Sequence, residues 1–145
     1  MIVLLQRVRE ARVIIDGTLR SEIGQGLLAL VCAEANDTSE KTTKLAAKTV
    51  KLRVFADDAA RMNKSVRDIG GSVLAVSQIT LAADPWSGNR PSFSGAAAPA
   101  EGLAAYNAYV EAVRAEGVPC LTGEFGADMQ VELINDGPAT FILKL

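Results

Sequence analysis

The sequence predicts a single strand-rich α/β domain over residues 1–145, and three observations carry that prediction. Short apolar or alternating segments recur along the chain, bounded by glycine, proline and acidic turns, which is the pattern of strands. An Asp16-Gly17 pair sits between two of them, the residue pair that a two-residue hairpin of type I′ demands. Only two stretches carry helical spacing together with capping residues, so helices are few. A chain of this length buries roughly 68–70% of its unfolded surface on folding, enough for one complete core. Its composition of 49% hydrophobic and 22% charged residues suits a globular protein.

Taken in order, Ile2 to Val8 is a strand, and Arg12-Val13-Ile14-Ile15 leads through Asp16-Gly17 into Thr18-Leu19, so the chain opens as antiparallel sheet. Gly24-Gln25-Gly26 interrupts it. Leu27 to Ala33 is a continuous apolar run of the kind found in a strand covered on both faces. Asp37-Thr38-Ser39-Glu40 has capping-box spacing, with Asp37 as N-cap, and opens a helix to about Lys51. Lys41, Lys44, Lys48 and Lys51 fall on one face of that helix, away from Leu45, Ala46 and Val50, where they form either a solvated face or a track for phosphates. Leu52 to Phe55 reads as a short strand and Asp57-Asp58 as a turn. Ser72 to Val76 is a further apolar strand that runs into Ser77-Gln78-Ile79-Thr80. From Ala82 to Pro99 the chain is rich in Pro, Gly, Ser and Ala with Trp86, Arg90 and Phe93 interspersed, which indicates a long ordered loop with a function of its own. Pro99 starts a second helix with Leu103, Tyr106, Val110 and Val113 as its core stripe, ending at Gly117. Val118 to Leu121 is a strand, and residues 123–128 form a glycine-punctuated loop. Met129 to Ile134 alternates and Ala139 to Leu143 resumes the pattern, so the two read as a hairpin whose tip is Asn135-Asp136-Gly137-Pro138. On shape alone that tip is an ordinary trans turn, because only about 5–6% of X-Pro bonds in folded proteins are cis.

Composition removes several chemistries. The chain has no histidine, so a Ser-His-Asp or Cys-His nucleophile system and an imidazole-based zinc site are both excluded. Two isolated cysteines, Cys32 and Cys120, lie in apolar strand-like runs and read as buried free thiols; no metal or cofactor site is expected. Apolar runs are too short to cross a bilayer and the start lacks the features of a signal peptide, which predicts a cytoplasmic protein that does not engage membranes. The net charge of −2 weighs against wrapping a long nucleic acid but tolerates a site that grips one nucleotide.

Catalysis must therefore use hydroxyls, backbone donors or groups on the substrate. If Ser77 to Leu81 leaves the sheet as a strand end, its successive backbone N–H groups form an oxyanion pocket surrounded by the Ser77 and Thr80 hydroxyls and the Gln78 amide. Thr80 could be a nucleophile only if its proton went to a lysine, a carboxylate or the substrate. A strand-end turn is the structural alternative for the same residues.

With these motifs in place the chain resembles the D-aminoacyl-tRNA deacylase family. Ser77-Gln78-Ile79-Thr80-Leu81 is similar to the family's SQFTL motif and Asn135-Asp136-Gly137-Pro138-Ala139-Thr140 to its NDGPVT motif. Leu5-Gln6-Arg7-Val8, Met62-Asn63, Gly70-Gly71, Arg90-Pro91-Ser92-Phe93 and residues 125–129 add to the likeness, which spans essentially the whole chain. Ile79 stands where the family usually has Phe, and Ala82 where it often has Tyr.

The resemblance implies two packed, mostly antiparallel sheets with helices on one face, a three-layer β/β/α arrangement. It implies a homodimer that hydrolyses the ester of D-aminoacyl-tRNA, and of mischarged glycyl-tRNA, to free amino acid and tRNA. Ser77, Gln78, Ile79 and Thr80 would form the catalytic segment, with position 79 acting through backbone N–H and the RNA 2′-hydroxyl assisting more than any protein nucleophile. A cis Gly137-Pro138 element would reach into the partner's pocket, hold the α-amino group and leave no room for an L side chain. Arg7 would brace that element, and Phe125 and Met129 would sit near the terminal adenine. The competing class is a non-catalytic binder of RNA ends or nucleotides.

Overall fold

In the computed structural model, which describes residues 1–145, eleven segments of regular structure follow one another. Strand β1 (Ile2–Ile15) turns at Asp16 and Gly17, both with positive φ (50° and 74°), into β2 (Thr18–Ile23), as a type I′ hairpin requires. Strand β3 (Gly26–Cys32) precedes helix α1 (Ser39–Lys51). A small hairpin follows, made of β4 (Phe55–Ala56) and β5 (Met62–Lys64). Strand β6 (Ser72–Ser77) then ends in a single 3-10 turn over Ile79–Ala82. Helix α2 (Pro99–Ala115), β7 (Cys120–Thr122) and β8 (Gln130–Lys144) complete the chain.

Strand β1 organises the sheet. Along one edge Ile2–Val8 pairs antiparallel with β3 and Ala11–Ile15 with β2, while β8 follows the other edge from Gln130 opposite Ile14 to Lys144 opposite Ile2. Strands β3, β6 and β7 are mutually parallel, because α1 lies in the crossover from β3 to β6 and α2 in the crossover from β6 to β7. The antiparallel ladders of β1 thus adjoin a parallel block, and the two expected sheets are the two halves of one curled sheet. Its β1–β2 end folds over the β3–β6–β7 block, where the Ser21 hydroxyl donates to the Thr122 carbonyl.

Alternation along the strands fills both faces. Leu28, Leu74 and Val76 point between the sheet halves with Val8, Ala11, Val13 and Ile23. Leu27, Ala29, Val31, Val73 and Ala75 point the other way, onto Leu45, Ala46 and Val50 of α1 and Tyr106, Tyr109 and Val113 of α2. Burial on both faces explains the unbroken apolar run of β3. The order of layers is sheet, sheet, helices. Gly26 allows β3 and β6 to meet, since a Cβ there would lie 1.9 Å from the Ser72 carbonyl oxygen.

Several expectations change. The terminal segment is not a hairpin: both halves of β8 run in one direction along β1, because β1 is long enough to pair with all of it. Asn135 pairs with Val8 and Thr140 with Gln6, so residues 136–139 bulge opposite the single residue Arg7. The Gly137-Pro138 bond within the bulge is cis, as the resemblance implies and against the trans turn that shape alone favours. Thr38, not Asp37, caps α1 by accepting the Lys41 N–H; Asp37 instead accepts the Met1 ammonium at 2.6 Å and the Glu34 N–H at 2.7 Å. The short strand expected at Leu52–Phe55 begins only at Phe55, because Leu52 terminates α1. The last strand before the glycine loop likewise starts at Cys120, two residues later than expected. Leu103 stays 40% exposed while Tyr109 takes its place in the core, donating to or accepting from the Thr49 hydroxyl at 2.8 Å. No helix is long and apolar enough to cross a membrane.

Candidate active site

A cavity of about 530 Å³ opens where β6 leaves the sheet. Its walls come from the ends of β3 and β6, the start of α2, residues 96–97 and the 125–129 loop. Ser77, Gln78 and Ile79 line one side and Phe125 and Met129 the other, so five residues expected at the site share one space.

The local chain path creates the donors. Gln78 N–H still bonds to the Val31 carbonyl at 2.8 Å, continuing the β3–β6 ladder, and Leu81 N–H turns back to the Gln78 carbonyl. The first N–H groups of such a turn have no acceptor within it. Neither Ile79 nor Thr80 N–H finds one among the turn and loop hydrogen bonds. Both amides are therefore free to donate to a ligand in the cavity, and because they belong to the backbone their availability does not depend on the side chain at position 79. The Ile79 side chain is 53% exposed.

Thr80 is placed differently from Ser77 and Gln78. Its residue is exposed and outside the cavity lining, and its hydroxyl accepts from the Gln78 amide. Phe125 packs against Tyr106 with ring centroids 6.0 Å apart, and Gly102 of α2 leaves room for it, since a Cβ there would come within 3.5 Å of the ring. Gly123 does the same for Met129, whose sulfur lies 2.5 Å from where a Cβ would stand.

Three cavity residues with ionisable side chains escaped the sequence reading of the site. Cys32, Tyr106 and Asp128 all contribute to the wall. Burial pushes the Cys32 thiol up, and burial pushes the Tyr106 phenol up to about 12, so both stay protonated near neutrality. The Tyr106 hydroxyl is also committed to the Ala75 carbonyl at 2.7 Å. Asp128 is the one carboxylate in the lining. Its only signal in sequence is its place beside Phe125 and Met129; Cys32 and Tyr106 read there as core.

Arg7, Gly137 and Pro138 form a second cluster outside this cavity, on β1 and β8. Arg7 donates from Nε to the Asp136 carbonyl at 2.7 Å and from its terminal nitrogen to the Val54 carbonyl at 2.6 Å. Asn135 closes the neck of the bulge: its Oδ1 accepts the Ala139 N–H at 2.8 Å and its Nδ2 donates to the Thr140 hydroxyl at 3.0 Å. Gly137 has φ of +143°, and a Cβ there would lie 2.7 Å from the Arg7 guanidinium. Strands β1 and β3 stand between β8 and β6, so the two clusters are three strand spacings apart, roughly 14 Å across the sheet.

The fold is thus a mixed, curled sheet with helices on one face, and its cavity carries backbone donors without a histidine. The profile of the D-Tyr-tRNA(Tyr) deacylase family matches residues 4–144, and the chain belongs to that family. Over its whole length it is 54% identical to the D-aminoacyl-tRNA deacylase of Aromatoleum aromaticum strain EbN1 and 56% identical to that of Azoarcus sp. strain BH72, covering 95% and 96% of them. Among solved structures, one described as a c-Myc DNA unwinding element binding protein superposes with a TM-score of 0.95 at 36% identity, covering all of this chain and 99% of the other. A second, described as a probable eukaryotic D-amino acid tRNA deacylase, gives 0.81 at 17% identity over 98% and 97% and shares the fold.

Proposed function

We propose that this protein is a D-aminoacyl-tRNA deacylase that works as a homodimer, each cavity being completed by the Arg7–Gly137–Pro138 element of the other subunit. The observation that carries this reading is the separation of the two motifs: one lines the cavity, the other stands outward on a strand whose far edge has no partner. Exposed Ile134 and Ile142 on β8, 50% and 70% accessible, fit a surface that a second copy covers.

In this reading the terminal adenosine lies against Phe125 and Met129, and the ester carbonyl faces the N–H groups of Ile79 and Thr80. Water adds to the carbonyl carbon, the two amides hold the oxyanion, and the C–O bond breaks as the ribose 3′-oxygen takes a proton. The neighbouring 2′-hydroxyl assists, since Cys32 and Tyr106 are held protonated and no histidine is available. The Gly-Pro element holds the α-amino group and occupies the space an L side chain needs, so glycine passes along with D-residues. A substrate of this kind supports a cytoplasmic location.

The test is release of amino acid from matched D- and L-aminoacyl-tRNA: hydrolysis of the D-ester and glycyl ester with the L-ester spared is expected. Equal rates on both enantiomers would remove the chiral role of Gly137 and Pro138. The description of the 36%-identical structure favours one second reading, a nucleic-acid binder without turnover. Such a protein would protect the ester in the same assay.

A further inference from the structure

Trp86 is the only tryptophan of the chain, and it is 91% exposed. It stands on an ordered turn. Asp84 and Ser92 exchange both backbone hydrogen bonds, at 2.8 and 3.0 Å, and close residues 85–91 into a tip. Inside the tip the Asp84 carboxylate accepts the Trp86 N–H at 2.9 Å and the Ser87 hydroxyl; the Ser87 hydrogen bond and the Trp86 N–H hold it below the usual carboxylate range. The indole is therefore presented by a preorganised turn. Arg90 lies in the same tip, exposed and outside every ion pair of the chain.

Both legs of this ribbon leave from the cavity. One leg is the 3-10 turn Ile79–Ala82, and the other continues into Ala96 and Ala97 of the cavity wall. Three residues separate Ser92 from Ala96, no more than roughly 14 Å of chain over the four Cα–Cα steps.

We infer that Trp86 and Arg90 form a stacking platform for the unpaired nucleotides that precede the terminal adenosine of the substrate RNA, Trp86 against a base and Arg90 against a phosphate. This inference rests on the deacylase reading. A solvent-facing indole and a free guanidinium on one exposed tip are what sequence-tolerant single-strand binding uses, because every base has a π-face. An aromatic anchor for a protein partner sits instead in a packed apolar patch, whereas the neighbours of Trp86 in the tip are Pro85, Ser87, Gly88 and Asn89.

Because Trp86 is the sole indole, its emission reports the contact directly. Uncharged tRNA should quench it, and a hairpin RNA lacking the unpaired 3′ strand should not. Trp86→Ala should lower kcat/KM on D-aminoacyl-tRNA on the order of tenfold or more, through KM, relative to the value on a D-aminoacyl ester of adenosine alone. Trp86→Phe should restore most of the difference, and Arg90→Gln should reduce the salt slope by about 0.7. Wild type inactive on both substrates would overturn the deacylase reading. Wild type active on both, with the ratio unchanged by Trp86→Ala or with emission unmoved by bound tRNA, would overturn the platform alone. A Trp86→Ala protein that loses its dimer with no change in that ratio would assign the residue to the subunit contact and likewise overturn it.

Discussion

Thr80 and Gly137 show how differently two residues of the proposed shared site depend on their side chains. The Thr80 hydroxyl stands outside the cavity and is engaged by Gln78, so Thr80→Ala leaves both oxyanion amides in place and should cost no more than about tenfold in kcat. If the unaltered enzyme cleaves a tRNA ending in 2′-deoxyadenosine at the normal rate while Thr80→Ala is inactive, a protein nucleophile is reinstated. At Gly137 the absence of a side chain is what matters. Gly137→Ala would force a Cβ within 2.7 Å of the Arg7 guanidinium at a φ of +143°, which L-residues rarely adopt. It should reduce deacylation far more than it lowers Tm, because the strain sits in an outward bulge and not in the core. Arg7→Met, which keeps bulk but leaves the Asp136 and Val54 carbonyls unpaired, should destabilise the fold by about 1–3 kcal/mol per carbonyl that water does not reach. Denaturant titration measures that loss.

At the scale of elements, helix α1 separates two roles that its sequence merges. Thr38 is the N-cap and Asp37 a ligand of the Met1 ammonium. Thr38→Ala should therefore cost about 1 kcal/mol, the usual value of a lost cap. The lysines of α1 divide too: Lys44 pairs with Glu40 at 2.8 Å and Lys41 approaches Asp37 at 4.0 Å, whereas Lys48 and Lys51 are exposed and have no carboxylate partner. If this face tracks tRNA phosphates, replacing all four by Gln should raise KM, leave kcat unchanged and flatten the salt dependence, with Lys48 and Lys51 contributing most. An unchanged salt slope would make the stripe a solvated surface. Strand β3 is buried along nearly its whole length, and Gly26→Ala, which would drive a Cβ into the Ser72 carbonyl, should abolish soluble expression.

For the whole molecule, two-subunit assembly is the expectation that most needs testing. Light scattering should give twice the chain mass at assay concentration, and mixing a Gly137→Ala chain with one disabled at the cavity should regain activity in the mixed dimer. An active monomer would end the shared-site reading. Stability should also depend on acid in a specified direction. Burial alone would raise the Glu34 carboxyl, but hydrogen bonds from the Met1 ammonium at 3.0 Å and from Lys144 outweigh it and hold it below its ordinary value of 4.5. Its folded pKa is depressed, so its contribution is complete above about pH 4.5 and is lost as pH falls through the lower folded value. Glu34→Gln should flatten the fall in Tm below that pH and leave the profile above pH 6 parallel to wild type.

What the residues determined unaided is whatever neighbours in sequence control. Asp16-Gly17 set a type I′ turn, Pro99 and Gly117 bounded α2, and the apolar run of β3 declared a strand buried on both faces, because each depends on backbone preference or on local periodicity. The first motif also named Ser77, Gln78 and Ile79 of the cavity wall. Direction and register were decided elsewhere. Nothing near Asn135 reveals that the chain continues past Pro138 without reversing; that follows from the length of β1, more than 120 residues earlier, which offers one edge for all of β8. The same holds for the cavity, where Cys32, Tyr106 and Asp128 meet Ser77 only because the crossovers through α1 and α2 lay β3, β6 and β7 side by side. Contacts between such distant segments arise from packing of the whole sheet, so only the tertiary structure could bring the one motif to the cavity and leave the other facing outward.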